Sequence, residues 1–200
     1  MVATNKPIKR LSLYLFLILF TFQTPSQADD IRDLQIEGIS VGDSLLDYMS
    51  EEEIKENESP GIYKDKKFTL SDYNKSSAIY DTVSIEYKPN DKKYTIHGVQ
   101  GIIDFPNNIE GCYKKQDEIE KEISSMFTEI KKKDWGILKL DFGGEGSTYR
   151  PITFDFKNDH RMSVDCYYLT DTPQKNNLKV TMTSNELRKY LKLTAEPANN

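Results

Sequence analysis

Histidine, cysteine and tryptophan are scarce in this 200-residue chain, which holds two, two and one of them. No CxxC pair occurs, so neither a thioredoxin-like redox centre nor a zinc knuckle has support. GxSxG, SxxK, HExxH, the P-loop and the dinucleotide fingerprint are all absent. Asp141-Phe142-Gly143 spells the metal-binding triplet of kinases, but without the other kinase signatures it reads as a strand ending in a glycine turn. No apolar run reaches the roughly 20 residues that cross a bilayer as a helix. The longest, Leu11–Phe22, spans about 18 Å at helical rise.

That run stands in a recognisable order. Lys6, Lys9 and Arg10 precede it, Pro25 breaks it, and Ser26-Gln27-Ala28 sets small residues at the −3 and −1 positions of a cleavage site. Residues 1–28 therefore read as a secretory signal peptide cleaved after Ala28, and the protein as exported, periplasmic or secreted. Cleavage removes three basic residues and no acidic one, leaving 172 residues with a formal net charge of −8. So acidic a chain has no electrostatic footprint for nucleic acid, and anionic lipid surfaces repel it. No stable membrane insertion is expected after cleavage. Residues 29–193 form one domain by length, divisible into halves 29–108 and 109–193, with 194–200 as a flexible tail.

Both cysteines, Cys112 and Cys166, follow the signal. An even pair in an oxidising compartment reads as one disulfide, the alternative being two separate buried thiols. Ile119, Ile123, Met126, Phe127 and Ile130 recur at the spacing of an amphipathic helix over Gly111–Ile130. Cys112 lies within about 20° of that stripe. Met162, Val164, Cys166 and Tyr168 alternate as a strand, so both sulfurs point inward, one from a helix and one from a sheet.

Ser44 with Asp47, Ser50 with Glu53 and Thr183 with Glu186 mark helix starts, the first with Leu45, Leu46 and Met49 inward and the last running through Leu191. Two hairpins follow from apolar alternation. The first pairs Tyr87 with Tyr94, Ile85 with Ile96 and Val83 with Gly98, with a bulge or bend near Gly98. The second pairs Phe156 with Met162, Phe154 with Val164 and Ile152 with Cys166. Leu138–Phe142 and Leu178–Met182 supply further strands. The expected fold is α+β, a mainly antiparallel sheet of about six strands packed against the Gly111–Ile130 helix. Ile36-Glu37-Gly38 and Ile109-Glu110-Gly111 precede the first two helices, which allows a reading as two helix-plus-hairpin units.

No catalytic residue, cofactor or metal ligand is assigned. Register places His97 on the solvent side opposite Ser84, and His160 in a hairpin loop. Asp155, Asp159 and Asp165 lie on the outward face and tip of one hairpin, an arrangement that suits either Ca²⁺ or a solvated acidic surface. Tyr63, Tyr73, Tyr167 and Trp135 are the aromatic residues a glycan cleft would use. Asn57-Glu58-Ser59 and Asn74-Lys75-Ser76 fit the glycosylation sequon.

The stretch Asp30-Ile31-Arg32-Asp33-Leu34-Gln35-Ile36-Glu37-Gly38-Ile39-Ser40-Val41-Gly42-Asp43-Ser44-Leu45-Leu46 resembles the start of small exported proteins of marine alphaproteobacteria, to which no activity is assigned. Its portion from Glu37 to Ser44 also resembles the helix entry of small periplasmic modules of the outer-membrane-assembly-lipoprotein and β-lactamase-inhibitor-like kind. That second likeness implies a non-catalytic, protein-binding α+β unit, although no lipoprotein cysteine follows the cleavage site here. The leading expectation is an exported non-enzymatic module that binds a protein or cell-envelope component. The alternatives are a hydrolase of glycan or cell-wall material, and a small-ligand carrier with an enclosed apolar pocket.

Overall fold

The computed structural model describes residues 30–195, apart from 60, 61, 64, 76, 128, 173 and 174. The signal segment and residues 196–200 lie outside it. Three helices and eight strands make an α+β fold. They are α1 (Glu51–Glu56), β1 (Thr69–Asp72), β2 (Thr82–Tyr87), β3 (Ile96–Asp104), α2 (Ile109–Met126), β4 (Lys131–Asp134), β5 (Leu138–Lys139), β6 (Thr148–Asp155), β7 (Arg161–Tyr168), β8 (Asn177–Thr183) and α3 (Asn185–Ala195). All pairings are antiparallel, in the order β1-β2-β3-β8-β7-β6-β4, with β5 also on β6. Both halves of the chain thus share one sheet, joined where β3 meets β8.

Alternation sends Val83, Ile85, Val99, Ile152, Phe154, Met162, Val164, Leu178 and Val180 to one face, where all are buried. Two layers cover that face. One is α2, through Cys112, Gln116 and Ile123. The other is the segment before α1, through Ile31, Leu34, Ile36, Ile39 and Leu45. Gln116 is polar in this core because its amide donates to the carbonyls of Arg150 and Val164, at 2.6 and 2.7 Å. The Cys112–Cys166 disulfide ties α2 to β7 with Cα atoms 6.0 Å apart, joining the two inward positions read from the helix stripe and the strand alternation.

α2 starts two residues before Gly111, because Asn108 caps it by accepting from the Gly111 N–H at 3.0 Å. It ends at Met126, four residues short of Ile130. Phe127 turns extended there and packs on Phe156, ring centres 5.1 Å apart. The expected short helix after Ser44 is a 3-10 turn over Leu45–Asp47, with Leu46 exposed rather than inward. Ser50 and Glu53 form the expected capping box. At α3 the cap is Ser184, not Thr183: its Oγ accepts from the Leu187 N–H at 3.2 Å.

Both hairpin registers differ from the alternation reading. In the first, Tyr87 pairs with Ile96, Ile85 with Val99 and Val83 with Gly101. Tyr94 sits in the loop at φ 48°, and His97 is the extra residue of a bulge opposite Glu86 and Tyr87. In the second, Phe154 pairs with Met162, Ile152 with Val164 and Arg150 with Cys166. The slip is two residues, so each side chain keeps its face. Ile36-Glu37-Gly38 forms a tight turn with Glu37 and Gly38 at positive φ, whereas Ile109-Glu110-Gly111 is the first turn of α2. The two tripeptides share no geometry.

Candidate functional site

Directly opposed residues share a face, so the register maps the sheet's outer surface. One row across it reads Pro151, Asp165, Lys179, Ile102, and the next Thr153, Ser163, Thr181, Gln100, Ser84. One end of this face is roofed by α3 and the chain leading into β1, where Phe68, Leu187 and Tyr190 form a small second core with Tyr63 against it. Beneath that roof the Glu86 carboxylate accepts from the Tyr63 hydroxyl and from Gln100 Nε2. Desolvation holds its pKa above the usual carboxylate value. Gly98 makes room for it, since a Cβ there would lie 1.9 Å from Glu86 Oε2.

Beyond the roof the face is open and polar. Asp165 is 8 % exposed; its Oδ2 accepts from the Ser163 hydroxyl at 3.0 Å, while Oδ1 has no partner among the described residues. Its cross-strand neighbour Lys179 lies over the Tyr167 ring, 5.0 Å from the centroid, instead of bonding to the carboxylate. Burial pushes the Asp165 pKa up to about 6. Tyr167 stacks on Tyr149 at 5.6 Å, so both its faces are taken, and Lys133 lies on the Trp135 ring.

The segment from the end of β4 past β5 exposes apolar side chains at the far corner: Trp135, Ile137 and Phe142 are 43, 61 and 61 % exposed. Tyr168, 36 % exposed, alternates with Tyr167 and so lies on the side of the sheet that α2 covers. The corner includes the strand β4, Lys-Lys-Lys-Asp, which alternation cannot find. It pairs along β6 because tertiary context overrides weak propensity, with Lys132 ion-paired to Glu120 of α2. The edge made by β1 is covered by residues 57–59, which bond to Leu70 and Asp72, whereas β4 and β5 have no outer neighbour among the described residues.

A second feature lies at the opposite end of the sheet, where the bulge swings His97 inward. Its side chain is 12 % exposed and packs edge-on against Phe68, correcting the solvent-side placement. His160, 63 residues later, follows the β6–β7 turn, and both histidines line one open cleft of about 460 Å³ floored by Val41 and Ile96. Its walls are the turn at Asp30, the β6–β7 turn, and the start of α3 at Ser184, Asn185 and Glu186.

Serine, histidine and glutamate meet in this cleft, but not as a catalytic relay. Ser184 Oγ at 3.2 Å and Glu186 Oε2 at 3.8 Å both approach His97 Nδ1. A relay needs serine and acid on opposite ring nitrogens, and Ser184 is already the cap of α3.

The remaining candidates do not converge. Asp155 is held by Arg161 at 2.7 Å and Arg188 at 3.1 Å. Asp165 lies roughly 13 Å further along the sheet, on the outer face as expected but buried there. No group of three metal-binding side chains occurs among the described residues. Tyr63 belongs to the roof, Tyr73 sits beneath Lys75, and Trp135 marks the far corner, so they form no common platform. Asn57 and Asn74, the two sequon residues, hydrogen-bond to each other.

Comparison with family models, curated proteins and solved structures finds no match to any of the three. The fold and the two surfaces above are therefore the basis for a functional reading.

Proposed function

We propose that the protein is an exported, non-enzymatic module that binds a protein or cell-envelope component at the open corner of its sheet. The observation that carries this reading is the exposure of Trp135, Ile137 and Phe142 along the segment that holds the uncovered β4–β5 edge. Apolar groups clustered on a surface mark contact sites more often than scattered ones do, and a free edge accepts an added strand. Export is supported by the signal-like leader, the disulfide, and the absence among the described residues of a helix long and apolar enough to cross a membrane.

The hydrolase reading fares worse. The two buried carboxylates of the outer face, Glu86 and Asp165, are three strands and four residues apart by register. That puts their Cα atoms roughly 20 Å from each other at ordinary sheet spacing, against roughly 5–9.5 Å between the carboxyl groups of glycosidases. The carrier reading needs an apolar chamber between sheet and helix, and that space is filled by Ile123, Phe127, Phe154 and the disulfide.

Site-specific photocrosslinking tests the proposal. A crosslinker at Ile137 should trap one partner in the cell envelope, and the same group at exposed Leu46 should not. Equal trapping at both sites, or turnover of a glycan substrate by the purified protein, would overturn it.

A further inference from the structure

The uncovered edge is a basic stretch of an acidic chain. Residues 131–139 read Lys-Lys-Lys-Asp-Trp-Gly-Ile-Leu-Lys, four lysines against one acid, in a protein of formal net charge −5. β4 and β5 continue one another along β6, and between them the Trp135 N–H donates to the Pro151 carbonyl at 3.1 Å. Every residue from 131 to 137 is exposed, and so is Lys139. Backbone groups alternate in direction along an antiparallel strand. Since Trp135 bonds toward β6, the N–H and C=O groups of Lys132 and Asp134 point outward, where no strand among the described residues takes them.

The two sides of this edge differ. On the side of α2 the charges are already paired, Lys132 with Glu120 and Asp134 with Arg150 at 2.7 Å. On the outer face Lys131 and Lys133 stand about 7 Å apart along the strand, and neither has a carboxylate partner among the described residues. Asp155, directly opposite Lys131, is held by Arg161 and Arg188. Lys133 rests on the Trp135 ring, which is anchored by its Nε1–H donating to Thr153 Oγ1 at 3.1 Å. This face thus presents two unneutralised cations and then an indole at alternate positions, with exposed Ile137 beyond.

We propose that the edge from Lys131 to Ile137 binds an extended acidic segment of a partner protein, added as a further strand with carboxylates at alternate positions followed by apolar side chains; this partner rests on the open corner being the protein's binding surface. An added strand takes the outward backbone groups. Carboxylates two residues apart along it fall opposite Lys131 and Lys133, where opposite charges on paired strands attract. The apolar residues that follow meet Trp135 and Ile137. Lysines on an edge guard it against pairing with its like, and here the guard also selects. A second copy paired antiparallel over the full length of β4 would set Lys132 against Lys133, whereas an acidic strand meets no such repulsion.

Trp135 is the only tryptophan of the chain, so its fluorescence reports on this edge. The capped peptide Glu-Thr-Glu-Thr-Val-Thr-Val and the same residues in reverse order, which cover both strand directions, are titrated into the exported chain. At least one should give a saturable change in emission that added potassium chloride weakens. Peptides with lysine for glutamate should give none. N-methylation of alternate residues removes the N–H groups on one side of the peptide and keeps its charge; in one of its two phases it should abolish the response. Lys131→Glu with Lys133→Glu should weaken binding at least about tenfold, with the circular dichroism spectrum unchanged. No saturable response, binding indifferent to methylation in both phases, or a stronger response to phosphatidylglycerol vesicles than to either peptide would overturn the proposal. Crosslinking at Ile137 separates this outcome from failure of the corner itself: a partner trapped equally well by the native and the doubly substituted chain leaves the corner as a binding surface and refutes the acidic strand alone.

Discussion

Replacing Asp165 by Asn should make the protein more stable, and only above acid pH. Burial raises the carboxyl from 3.8 to about 6 in the folded state. The folded chain then holds its proton more tightly than the unfolded chain, so stability is highest below about pH 4 and declines as pH rises to about 6. Two pKa units at 1.36 kcal/mol each give about 3 kcal/mol lost by neutral pH. Asn keeps an acceptor for the Ser163 hydroxyl while removing the charge. At pH 7.5 the variant should melt about 6–12 °C higher, at the 2–4 °C per kcal/mol of a domain this size. At pH 4 the two melting temperatures should coincide. Thermal melts at intervals from pH 4 to 8 measure the difference, and a constant gap, or none at pH 7.5, would refute the argument that an unpaired buried charge causes it.

Replacing Cys112 and Cys166 together by Ala should lower stability by about 2–5 kcal/mol in urea titration, and thiol titration of the native protein should find no free sulfhydryl. Gly98→Ala forces a methyl group onto Glu86 and should cost at least about 2 kcal/mol by overpacking and by breaking the Tyr63–Glu86–Gln100 hydrogen bonds; chemical denaturation with an unchanged m-value would check it. Asn108→Ala removes the α2 cap and should cost about 1 kcal/mol. Ile137→Ser should leave stability within about 0.5 kcal/mol, which makes it a clean variant for binding assays.

What the sequence makes legible follows the size of each physical signal. Strong periodicity located α2 and six of the strands, and the inward phase of Cys112 and Cys166 located the disulfide. Alternation has period two, so it assigns faces but cannot distinguish registers that differ by two residues; hence the slip at Phe154 and Met162. The first hairpin was lost to one bulged residue, His97, whose displacement also concealed the cleft. Lys131–Lys133 carries no β propensity, and Thr69–Asp72 is too short and polar to stand out. Glu86 and Asp165 look like ordinary outward carboxylates in their strands. Their burial depends on α3 and on neighbours from distant strands, which no local window contains. The convergence of both histidines could have been found only from the full topology.

Among the strands, β8 is made last yet lies in the middle of the sheet, between β3 and β7. Its partner on one side, β7, immediately precedes it, but on the other side β3 is far away in the chain: Asp104 pairs with Asn177. Until residues 177–183 are available, β3 has no neighbour on that side and the sheet remains two separate ribbons. Closing such distant contacts is slow compared with local ones. A chain threaded outward from its N-terminus would therefore cross a membrane before its central seam could form. In an exported chain the strand order itself would delay the native state until nearly the whole polypeptide had passed, and would leave the cysteines to meet on the far side.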